Sequence, residues 1–383
     1  MVVGKKKTFG GLSMWTVRGI GKNINSPIIA RFTLKESTFK DIFKKKKIKV
    51  YKKNKYNKMA IGLSTENCGL IKMPIVDQIL SEKLDELHEG DILQVLPNGV
   101  INRLYEITST QNALFLTEKC NSCCVMCPQP QKNIDHANEV LQILSLLAPK
   151  EVKEICITGG EPTMSTFFCN VMRKLNKFPN CLPLVLTNGR RFSDFSYTKE
   201  VIRQAPFNTV YAIPLYSAIP MIHDSIVGVK GAFKETIEGI HNLTRFRIPI
   251  EIRIVLTKQT VPGLFELAEF IGWNLPMTVH VAIMGMELHG RADDNKDKIW
   301  IEPLEYMNVL HSTVKNLDYR GFNVSIYNLP LCLLHRSLWK YSIRSISDWK
   351  QGYVDECNQC TVKNKCAGFF TTSNKIPIGI HHI

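Results

Sequence analysis

Three cysteines in the first half of the chain have a spacing that suits an iron-sulfur cluster with one open iron. Cys120, Cys124 and Cys127 are separated by three residues and then by two. Thiolates are the usual ligands of iron-sulfur clusters, whereas a closed structural zinc site takes four protein ligands. Three thiolates around four irons leave one iron free to bind a small molecule. The alternative is a zinc site made from any four of the nearby thiols, or a buried group of free cysteines.

A second group of cysteines lies near the end of the chain. Its four members form a closed ligand set: Cys332, Cys357, Cys360 and Cys366. A zinc ribbon is one interpretation of such paired thiols and a closed iron-sulfur cluster is the other. The five remaining cysteines are expected to be packed thiols: Cys68, Cys123, Cys156, Cys169 and Cys181.

Strands and helices alternate from about Ala113 to about Gly290. Such alternation predicts parallel strands with crossover helices in an open or partial barrel, whose chemistry lies at the carboxyl ends of the strands. The three cysteines follow the first predicted strand. The next three strand ends carry Gly159-Gly160-Glu161-Pro162, Asn188-Gly189 and Tyr216-Ser217. Residues at four successive strand ends would converge on one rim, which favours an enzyme over a scaffold protein.

The segment before about Thr110 contains short apolar runs broken by Gly, Pro and Asn. Asn98-Gly99 between two such runs predicts a two-residue hairpin. The predicted organisation is therefore a β-rich domain at 1–110 for substrate or partner handling, a core at 111–300, and a small cysteine-rich domain at 301–383.

Composition and charge limit the possible partners. No apolar run is long enough for a membrane span, and the basic start lacks the apolar stretch of a secretory signal, so a cytoplasmic protein is expected. Twelve cysteines in that compartment indicate metal binding or catalysis rather than disulfides. The net charge is +15, with a lysine-rich tract between Lys44 and Lys58. This tract suits nucleic acid or an acidic peptide, or is simply a solvated surface.

The cysteine spacing, followed by Gly159-Gly160-Glu161-Pro162, resembles the radical S-adenosylmethionine (radical SAM) superfamily. The resemblance implies that Cys120, Cys124 and Cys127 hold a [4Fe-4S] cluster whose open iron binds S-adenosylmethionine (SAM). An electron from the cluster then cleaves SAM to a 5′-deoxyadenosyl radical. The other register, through Cys123, does not give the superfamily spacing, so Cys123 is interpreted as a packed neighbour.

The same resemblance implies five cofactor-binding residues. Gly159, Gly160 and Glu161 would meet the amino group of SAM, while Ser217 and Arg253 would meet its carboxylate and ribose. Glycine allows close backbone approach, and the arginine fork suits a carboxylate. The alternatives are an ordinary strand-to-helix turn at Pro162 and surface positions for Ser217 and Arg253. His223, in a segment that resembles the family's loop into its fourth helix, is expected to be structural, and no catalytic residue is assigned beyond the cluster ligands.

A narrower resemblance extends from about Asp91 to about Ser373. It is to the His-Xaa-Ser system radical SAM maturases of the HxsC type, and it is carried by these phrases: Asn112-Ala113-Leu114, Thr117-Glu118-Lys119-Cys120-Asn121-Ser122, Ile157-Thr158-Gly159-Gly160-Glu161-Pro162-Thr163, Ser345-Ile346-Ser347-Asp348-Trp349-Lys350 and Cys366-Ala367-Gly368-Phe369-Phe370. The implied fold is α/β, a partial (β/α)6 radical SAM barrel with an N-terminal β-rich domain and a small C-terminal Cys-rich domain. Ala367 departs from the family, where related domains often carry a second glycine.

The C-terminal ending resembles the twitch or SPASM-like domains that hold an auxiliary [4Fe-4S] cluster, here on Cys332, Cys357, Cys360 and Cys366. The resemblance implies modification of a ribosomally synthesised peptide with His-Xaa-Ser repeats. Expected partners are the precursor peptide, a second maturase and an external electron donor, with neither membrane nor nucleic acid. Two alternatives stay open: a radical SAM enzyme that modifies RNA, and a non-catalytic iron-sulfur or zinc protein.

Overall fold

A computed structural model describes the chain at residues 8–9, 12–13, 15–33, 47–51, 62–64, 75–77, 79, 84–129, 131–346 and 350–383. Most of the lysine-rich tract lies outside the described residues, as do Cys68 and residues 347–349. The chain forms two compact units. The first comprises Met1–Leu116, Asp135–Ile157 and Asn170–Pro183, and the second comprises Thr117–Ile134, Thr158–Cys169 and Leu184–Ile383.

Short strands make up the amino-terminal part of the first unit, as the broken apolar runs predict. They are β1 (Thr8–Phe9), β2 (Leu12–Ser13), β3 (Thr16–Arg18), β4 (Ile20–Lys22), β5 (Ile28–Thr33), β6 (Lys47–Tyr51), β7 (Gly62–Ser64), β8 (Ile75–Asp77), β9 (Ile92–Val95) and β10 (Val100–Tyr105). β1 and β2 pair with each other, and the other eight strands form a sheet in the order β3-β10-β9-β5-β6-β7-β8-β4.

The two terminal strands of this sheet are consecutive in the chain. Its first and last strands, β3 and β4, are separated in the chain only by Gly19. β3 pairs antiparallel with β10, and β4 pairs antiparallel with β8. Phe32, Leu63, Val76 and Leu93 are among the side chains fully buried in its apolar core. One bent strand therefore joins the two ends of the sheet around that core.

The predicted hairpin is confirmed, but its loop has three residues, Pro97-Asn98-Gly99, rather than two, because Leu96 N donates to the carbonyl oxygen of Val100 at 2.8 Å. β9 and β10 run antiparallel, with Ile101 opposite Val95. Gly99 has φ of +77°, and a Cβ there would lie only 2.2 Å from the carbonyl oxygen of Gly19. Glycine is therefore required at this turn by both its backbone angle and its contact.

A bidentate ion pair within the first unit connects β5 to the segment that follows the helix Ala137–Leu146. Arg31 donates to the two carboxylate oxygens of Glu151 at 2.7 and 2.5 Å, and to the carbonyl oxygen of Leu146 at 3.2 Å. The pair is partly buried, with each side chain about one quarter exposed. The hydrogen bond from Arg31 lowers the pKa of the Glu151 carboxyl.

Within the described part of the chain, the second large sheet has eight strands, which follow chain order from β11 to β18. The strand pairs from β13 to β18 are parallel. The strands are β11 (Ala113–Phe115), β12 (Glu154–Thr158), β13 (Leu182–Leu186), β14 (Val210–Pro214), β15 (Ile250–Val255), β16 (Thr278–Met284), β17 (Val324–Tyr327) and β18 (Ser342–Ile343). The predicted α/β class with parallel strands is thus confirmed. The sheet has two strands more than the predicted six, because β17 and β18 come from the segment assigned to the C-terminal domain.

Helices alternate with these strands. They are α1 (Ala137–Leu146), α2 (Phe168–Leu175), α3 (Phe195–Gln204), α4 (Pro220–Val227), α5 (Ala232–Arg245), α6 (Leu264–Asn274), α7 (Arg291–Asp294), α8 (Lys296–Ile299) and α9 (Pro303–Tyr319). The final part of the chain adds 3-10 turns and a two-stranded sheet of β19 (Gln351–Gly352) and β20 (Phe369–Phe370). In the part of the chain that the structure describes, no helix combines the length and apolarity needed to cross a membrane.

Buried apolar and polar side chains alternate along β15, and this pattern determines which of them can reach a functional site. Ile250, Ile252 and Ile254 are fully buried on one face of the strand. Glu251 and Arg253 therefore lie on the opposite face, because successive side chains of a strand point to opposite sides. The polar residues of this strand consequently share one surface of the sheet.

Candidate active site

The loop that carries Cys120, Cys124 and Cys127 begins against the turn after β12. The N–H of Gly160 donates to the carbonyl oxygen of Thr117, and the N–H of Glu161 donates to that of Lys119, both at 2.7 Å. A Cβ on Gly159 would lie 2.5 Å from the oxygen of Thr117, and one on Gly160 would lie 2.5 Å from that of Lys119. The two glycines are therefore needed for backbone packing against the cysteine loop. Their contact with a cofactor stays a prediction.

Glu161 is a buried carboxylate that accepts four hydrogen bonds from the chain. The donors are Thr163 N at 3.1 Å, Thr163 Oγ1 at 2.6 Å, Thr187 Oγ1 at 2.7 Å and Asn188 N at 2.6 Å. Burial raises the pKa of Glu161, and these hydrogen bonds oppose that effect. The side chain thus fastens the turn after β12 to the loop after β13. Its predicted role as a partner of SAM remains a prediction.

The loop after β13 contacts the cysteine loop through two polar side chains. Asn188 Nδ2 donates to Asn121 Oδ1 at 2.6 Å and to Ser122 Oγ at 3.2 Å. Arg190 donates through Nη1 to the carbonyl oxygen of Asn121 and, at 3.0 Å, to Ser122 Oγ. Its Nε donates to Glu235 Oε2 at 2.6 Å. Arg190 is therefore a buried cation that binds Asn121 and Ser122 beside Cys120 and is held in turn by Glu235.

The carboxyl end of α4 supports the middle of the cysteine loop. Cys123 N donates to the carbonyl oxygen of Val227, and Val125 N donates to that of Ile226, both at 2.9 Å. Gly228 follows with φ of +72°, and a Cβ there would lie 2.7 Å from the oxygen of Cys123. A side chain at position 228 would therefore displace the loop.

A further support comes from the segment around α7. Arg291 N donates to the carbonyl oxygen of Cys127, and Arg291 Nη1 donates to that of Cys123, both at 3.0 Å. Asn295 Nδ2 donates to the carbonyl oxygen of Val125 at 3.1 Å. Side chains far apart in the sequence thus fix the same short loop.

The three cysteines offer a half-buried donor set. Burial raises the pKa of Cys120 to about 11 and that of Cys124 to about 12, and it also raises the pKa of Cys127. Nearby thiolates add to the effect at each position. Buried thiols without a cation stay protonated, whereas a bound metal deprotonates them. The donor chemistry therefore fits an iron-sulfur cluster. Among the described residues, no three Cys, His, Asp or Glu side chains are gathered tightly enough for a single metal ion.

The expectation that Cys123 is a packed thiol is wrong. Its side chain is exposed, because its backbone is held by Val227 while the loop turns the thiol outward. Cys181 is buried as expected, and Cys156 and Cys169 are half-buried.

Ser217 follows β14, and Arg253 lies within the neighbouring strand β15. Ser217 is buried, and its hydroxyl accepts a hydrogen bond of 3.0 Å from Ile219 N at the start of α4. Arg253 pairs in register with Pro214 of β14, and its Nε donates to Glu251 Oε1 at 2.5 Å. Neither is a fully exposed surface group. Their contacts with SAM stay predictions.

An apolar cluster packs around the cysteine loop. It includes Met126, Tyr216, Ile226, Val227 and Leu288, with Cys124 and Val125 against it. His223 is buried on α4, where its Nδ1 accepts a hydrogen bond of 3.3 Å from Tyr216 N and burial lowers its pKa to about 4. A neutral, packed imidazole agrees with the structural role expected for His223.

The four C-terminal cysteines line one pocket, together with Tyr353 and His381. Cys366 Sγ accepts hydrogen bonds from Leu331 N at 3.3 Å and from Gly368 N at 3.4 Å. Backbone hydrogen bonds to sulfur are a feature that tunes iron-sulfur centres. Gly368 has a left-handed backbone conformation, with φ of +66°. Ala367, the residue before it, is fully buried. The alanine therefore occupies a position that does not require glycine.

Several of these supporting residues were not identified from the sequence. Arg190 directly follows the Asn188-Gly189 strand end, so its position was the signal that could have revealed it. Glu235, Arg291 and Asn295 carry no such signal, because only the fold brings them to this site.

Residues 114–271 match the family model described as the Radical SAM superfamily. The matched region runs from β11 into α6 and contains the three cysteines and the strand-end turns. The chain therefore contains a radical SAM domain. Its cofactors are a [4Fe-4S] cluster and SAM, as predicted, and the further cysteines are compatible with an auxiliary cluster.

Among curated relatives, a GTP 3′,8-cyclase from Petrotoga mobilis is 26% identical over 175 residues, which are 43% of this chain and 52% of the relative. An Fe-coproporphyrin III synthase from Methanosarcina barkeri is 26% identical over 277 residues, 70% of this chain and 64% of the relative. The chain thus spans between about half and two thirds of these relatives. The crystal structure of Streptococcus suis SuiB aligns with this chain at a TM-score of 0.47 and 16% identity, and the alignment covers 62% of this chain and 53% of SuiB.

Proposed function

We propose that this protein is a radical SAM enzyme that cleaves SAM reductively and modifies a ribosomally synthesised peptide of the His-Xaa-Ser repeat type. The observation that carries the enzymatic part is the cysteine loop, whose three half-buried thiols lie on backbone held by Arg190, Val227 and Arg291. A loop fixed from several elements suits a cofactor that must be presented in one orientation.

In this proposal the residues of the chain bind the cluster, orient SAM and shield the radical from water. Cys120, Cys124 and Cys127 would hold the catalytic [4Fe-4S] cluster, which supplies one-electron cleavage of SAM when both are bound. Arg253 has a guanidinium suited to the carboxylate of SAM. The apolar cluster around Met126 and Tyr216 keeps water from the loop, which protects a reactive radical from side reactions.

The peptide substrate is supported by the sequence phrases that resemble HxsC-type maturases and by the second cysteine-lined pocket. Cys332, Cys357, Cys360 and Cys366 would hold an auxiliary [4Fe-4S] cluster in that pocket. The precursor peptide, an external electron donor and a second maturase are the proposed partners, in the cytoplasm. The three-domain division at about residues 110 and 300 stays part of this proposal.

Anaerobic reconstitution with iron, sulfide, SAM and a reductant tests the enzymatic part. 5′-Deoxyadenosine should form with the unaltered chain and disappear in Cys124→Ala. Cys123→Ala is the matched control, because its thiol is exposed and lies outside the proposed ligand set. A product in Cys124→Ala, or none in the unaltered chain, would contradict the proposal.

A mass change of a His-Xaa-Ser precursor, present only with SAM and reductant, tests the peptide part. The net charge of +15 favours one second candidate, a radical SAM enzyme acting on RNA. RNA binding that weakens steeply with salt, together with RNA modification and no change in peptide mass, would replace the peptide substrate.

A further inference from the structure

A row of polar side chains crosses three adjacent strands of the parallel sheet. Arg253 Nε donates to Glu251 Oε1 at 2.5 Å on β15. Glu251 Oε2 lies 2.9 Å from His280 Nδ1 on β16, and His280 Nε2 lies 2.9 Å from Ser325 Oγ on β17. The four residues therefore form one continuous chain of hydrogen bonds.

This row lies on the face of the sheet that carries the cysteine loop. Glu251 is directly opposite His280 in the β15–β16 register, and Ala282 is opposite Ser325 in the next pair. Val255, two residues beyond Arg253 and on the same face, packs against the apolar cluster of Met126 and Tyr216. The row is thus continuous with the lining of the candidate active site.

The donors and acceptors of the row are mutually consistent. Burial alone would raise the pKa of Glu251, but the hydrogen bond from His280 and the charge of Arg253 hold that pKa below its usual range. The ionised carboxylate accepts from Arg253 and from His280 Nδ1–H. His280 Nε2 can then accept from the hydroxyl of Ser325, which fixes the tautomer of the imidazole.

Arg253 uses only Nε in this row. Among the described residues, neither of its Nη groups has a hydrogen-bond partner, and its side chain is only about one quarter exposed. Two parallel N–H donors of a guanidinium match the two oxygens of a carboxylate. The row therefore holds the guanidinium of Arg253 through Nε and leaves its two Nη groups available to bind a ligand.

We propose that Glu251, His280 and Ser325 are positioning residues that hold Arg253 ready to bind the carboxylate of SAM. This inference rests on the proposed function, which supplies the ligand. Arginine loses much rotamer freedom when it binds, and a guanidinium already held by a carboxylate loses less. Affinity for a carboxylate-bearing ligand should therefore depend on a residue that does not touch that ligand.

Equilibrium binding to the anaerobically reconstituted protein tests the inference without a reaction. The two probes are SAM and 5′-methylthioadenosine, which keeps the adenosine but lacks the methionine carboxylate. Glu251→Gln should weaken SAM binding by about 5- to 20-fold, because a neutral amide no longer fixes the guanidinium. Binding of 5′-methylthioadenosine should change by less than about 2-fold, because its contacts do not include the carboxylate.

Two variants of His280 test whether SAM affinity depends on the hydrogen bond to Glu251. His280→Leu should reduce SAM affinity, whereas His280→Asn should restore part of it, because the asparagine amide can still donate to Glu251. Glu266→Gln is the matched control, since Glu266 is an exposed residue of α6. The melting temperatures of all variants should stay close to that of the unaltered protein, so that loss of affinity does not reflect unfolding.

A double-variant cycle separates positioning from general stabilisation. In an Arg253→Met background, Glu251→Gln should have less than about 2-fold further effect on SAM binding. Equal losses for both probes, or a full Glu251→Gln effect without Arg253, would overturn the inference. If the unaltered reconstituted protein binds no SAM and makes no 5′-deoxyadenosine, the proposed function itself fails.

Discussion

Arg190 donates a hydrogen bond of 3.0 Å to the hydroxyl of Ser122, and this contact joins the loop after β13 to the cysteine loop. The same guanidinium is held by Glu235 of α5. A buried arginine thus connects a helix, a strand end and the backbone between two cysteines. Its position indicates that the geometry of the cysteine loop depends on residues that are not ligands.

Replacing Arg190 should loosen the cysteine loop. Arg190→Met removes three hydrogen bonds and leaves the Asn121 carbonyl and Glu235 without their donor. We expect a reconstituted protein that loses iron about 2-fold faster or more during chelator challenge, since charge-assisted hydrogen bonds contribute about 1.5–3 kcal/mol each. The decay of cluster absorbance measures this rate. Arg203→Met, at an exposed position of α3, is the control and should lose iron at the unaltered rate.

Adding one methyl group at Gly160 should displace the turn after β12. In Gly160→Ala the Cβ would lie 2.5 Å from the oxygen of Lys119 and 2.9 Å from that of Glu118, both backbone atoms. We expect the melting temperature to fall by about 3 °C or more, because backbone must shift. Gly263→Ala is matched to it, since a Cβ there meets nothing within 4 Å. Equal melting temperatures for the two variants would refute the packing role.

The ion pair between Arg31 and Glu151 should make stability depend on acidity. Because the pKa of Glu151 is lower in the folded chain than its usual 4.5, the pair stabilises the fold above that pH and loses its effect as the pH falls below it. Arg31→Met should cost about 1–2 kcal/mol at neutral pH. Melting temperatures of the two proteins, measured from pH 7 downward, should approach each other as the pH falls below 4.5. A gap that stays constant over that range would show that the pair does not act through charge.

Metal counts distinguish the two interpretations of the C-terminal cysteines. Two cubane clusters would give about eight irons per chain, and loss of one would leave about four. Cys360→Ala should therefore reduce the iron of anaerobically purified protein by about half, with little zinc in either protein. Cys181→Ala, a buried thiol outside both groups, is the control and should retain the full count. Zinc at about one per chain that disappears in Cys360→Ala would establish a zinc site instead.

Strong local patterns predicted much of the fold. Asn98-Gly99 predicted the hairpin but not its third loop residue, Pro97, and the alternating apolar segments predicted the parallel sheet and helices α1, α2, α5 and α6. The two strands beyond the predicted six were missed because β18 has only two residues, and β17 lies in a segment assigned to another domain. Short strands are stabilised by their neighbours in the sheet rather than by their own sequence.

The candidate site was predictable only where the residues are close in sequence. Cysteine spacing identified the loop, and strand ends identified Gly159, Gly160 and Asn188. The packing role of the two glycines could not be predicted, because only the structure reveals the carbonyl groups that lie against them. Glu251, His280 and Ser325 belong to three separate strands, so no local pattern connects them. Exposure of Cys123 likewise depends on its backbone contact with Val227.

The bent strand at Gly19 has a consequence for how a peptide could be recognised. Many proteins capture extended peptides by letting them extend an open sheet, where unpaired backbone groups supply most of the affinity. A sheet whose terminal strands are covalently consecutive has little such border to offer. If the amino-terminal sheet takes part in substrate capture, we therefore expect recognition through side chains on its outer surface, which would make binding more sensitive to the peptide's sequence than to its backbone.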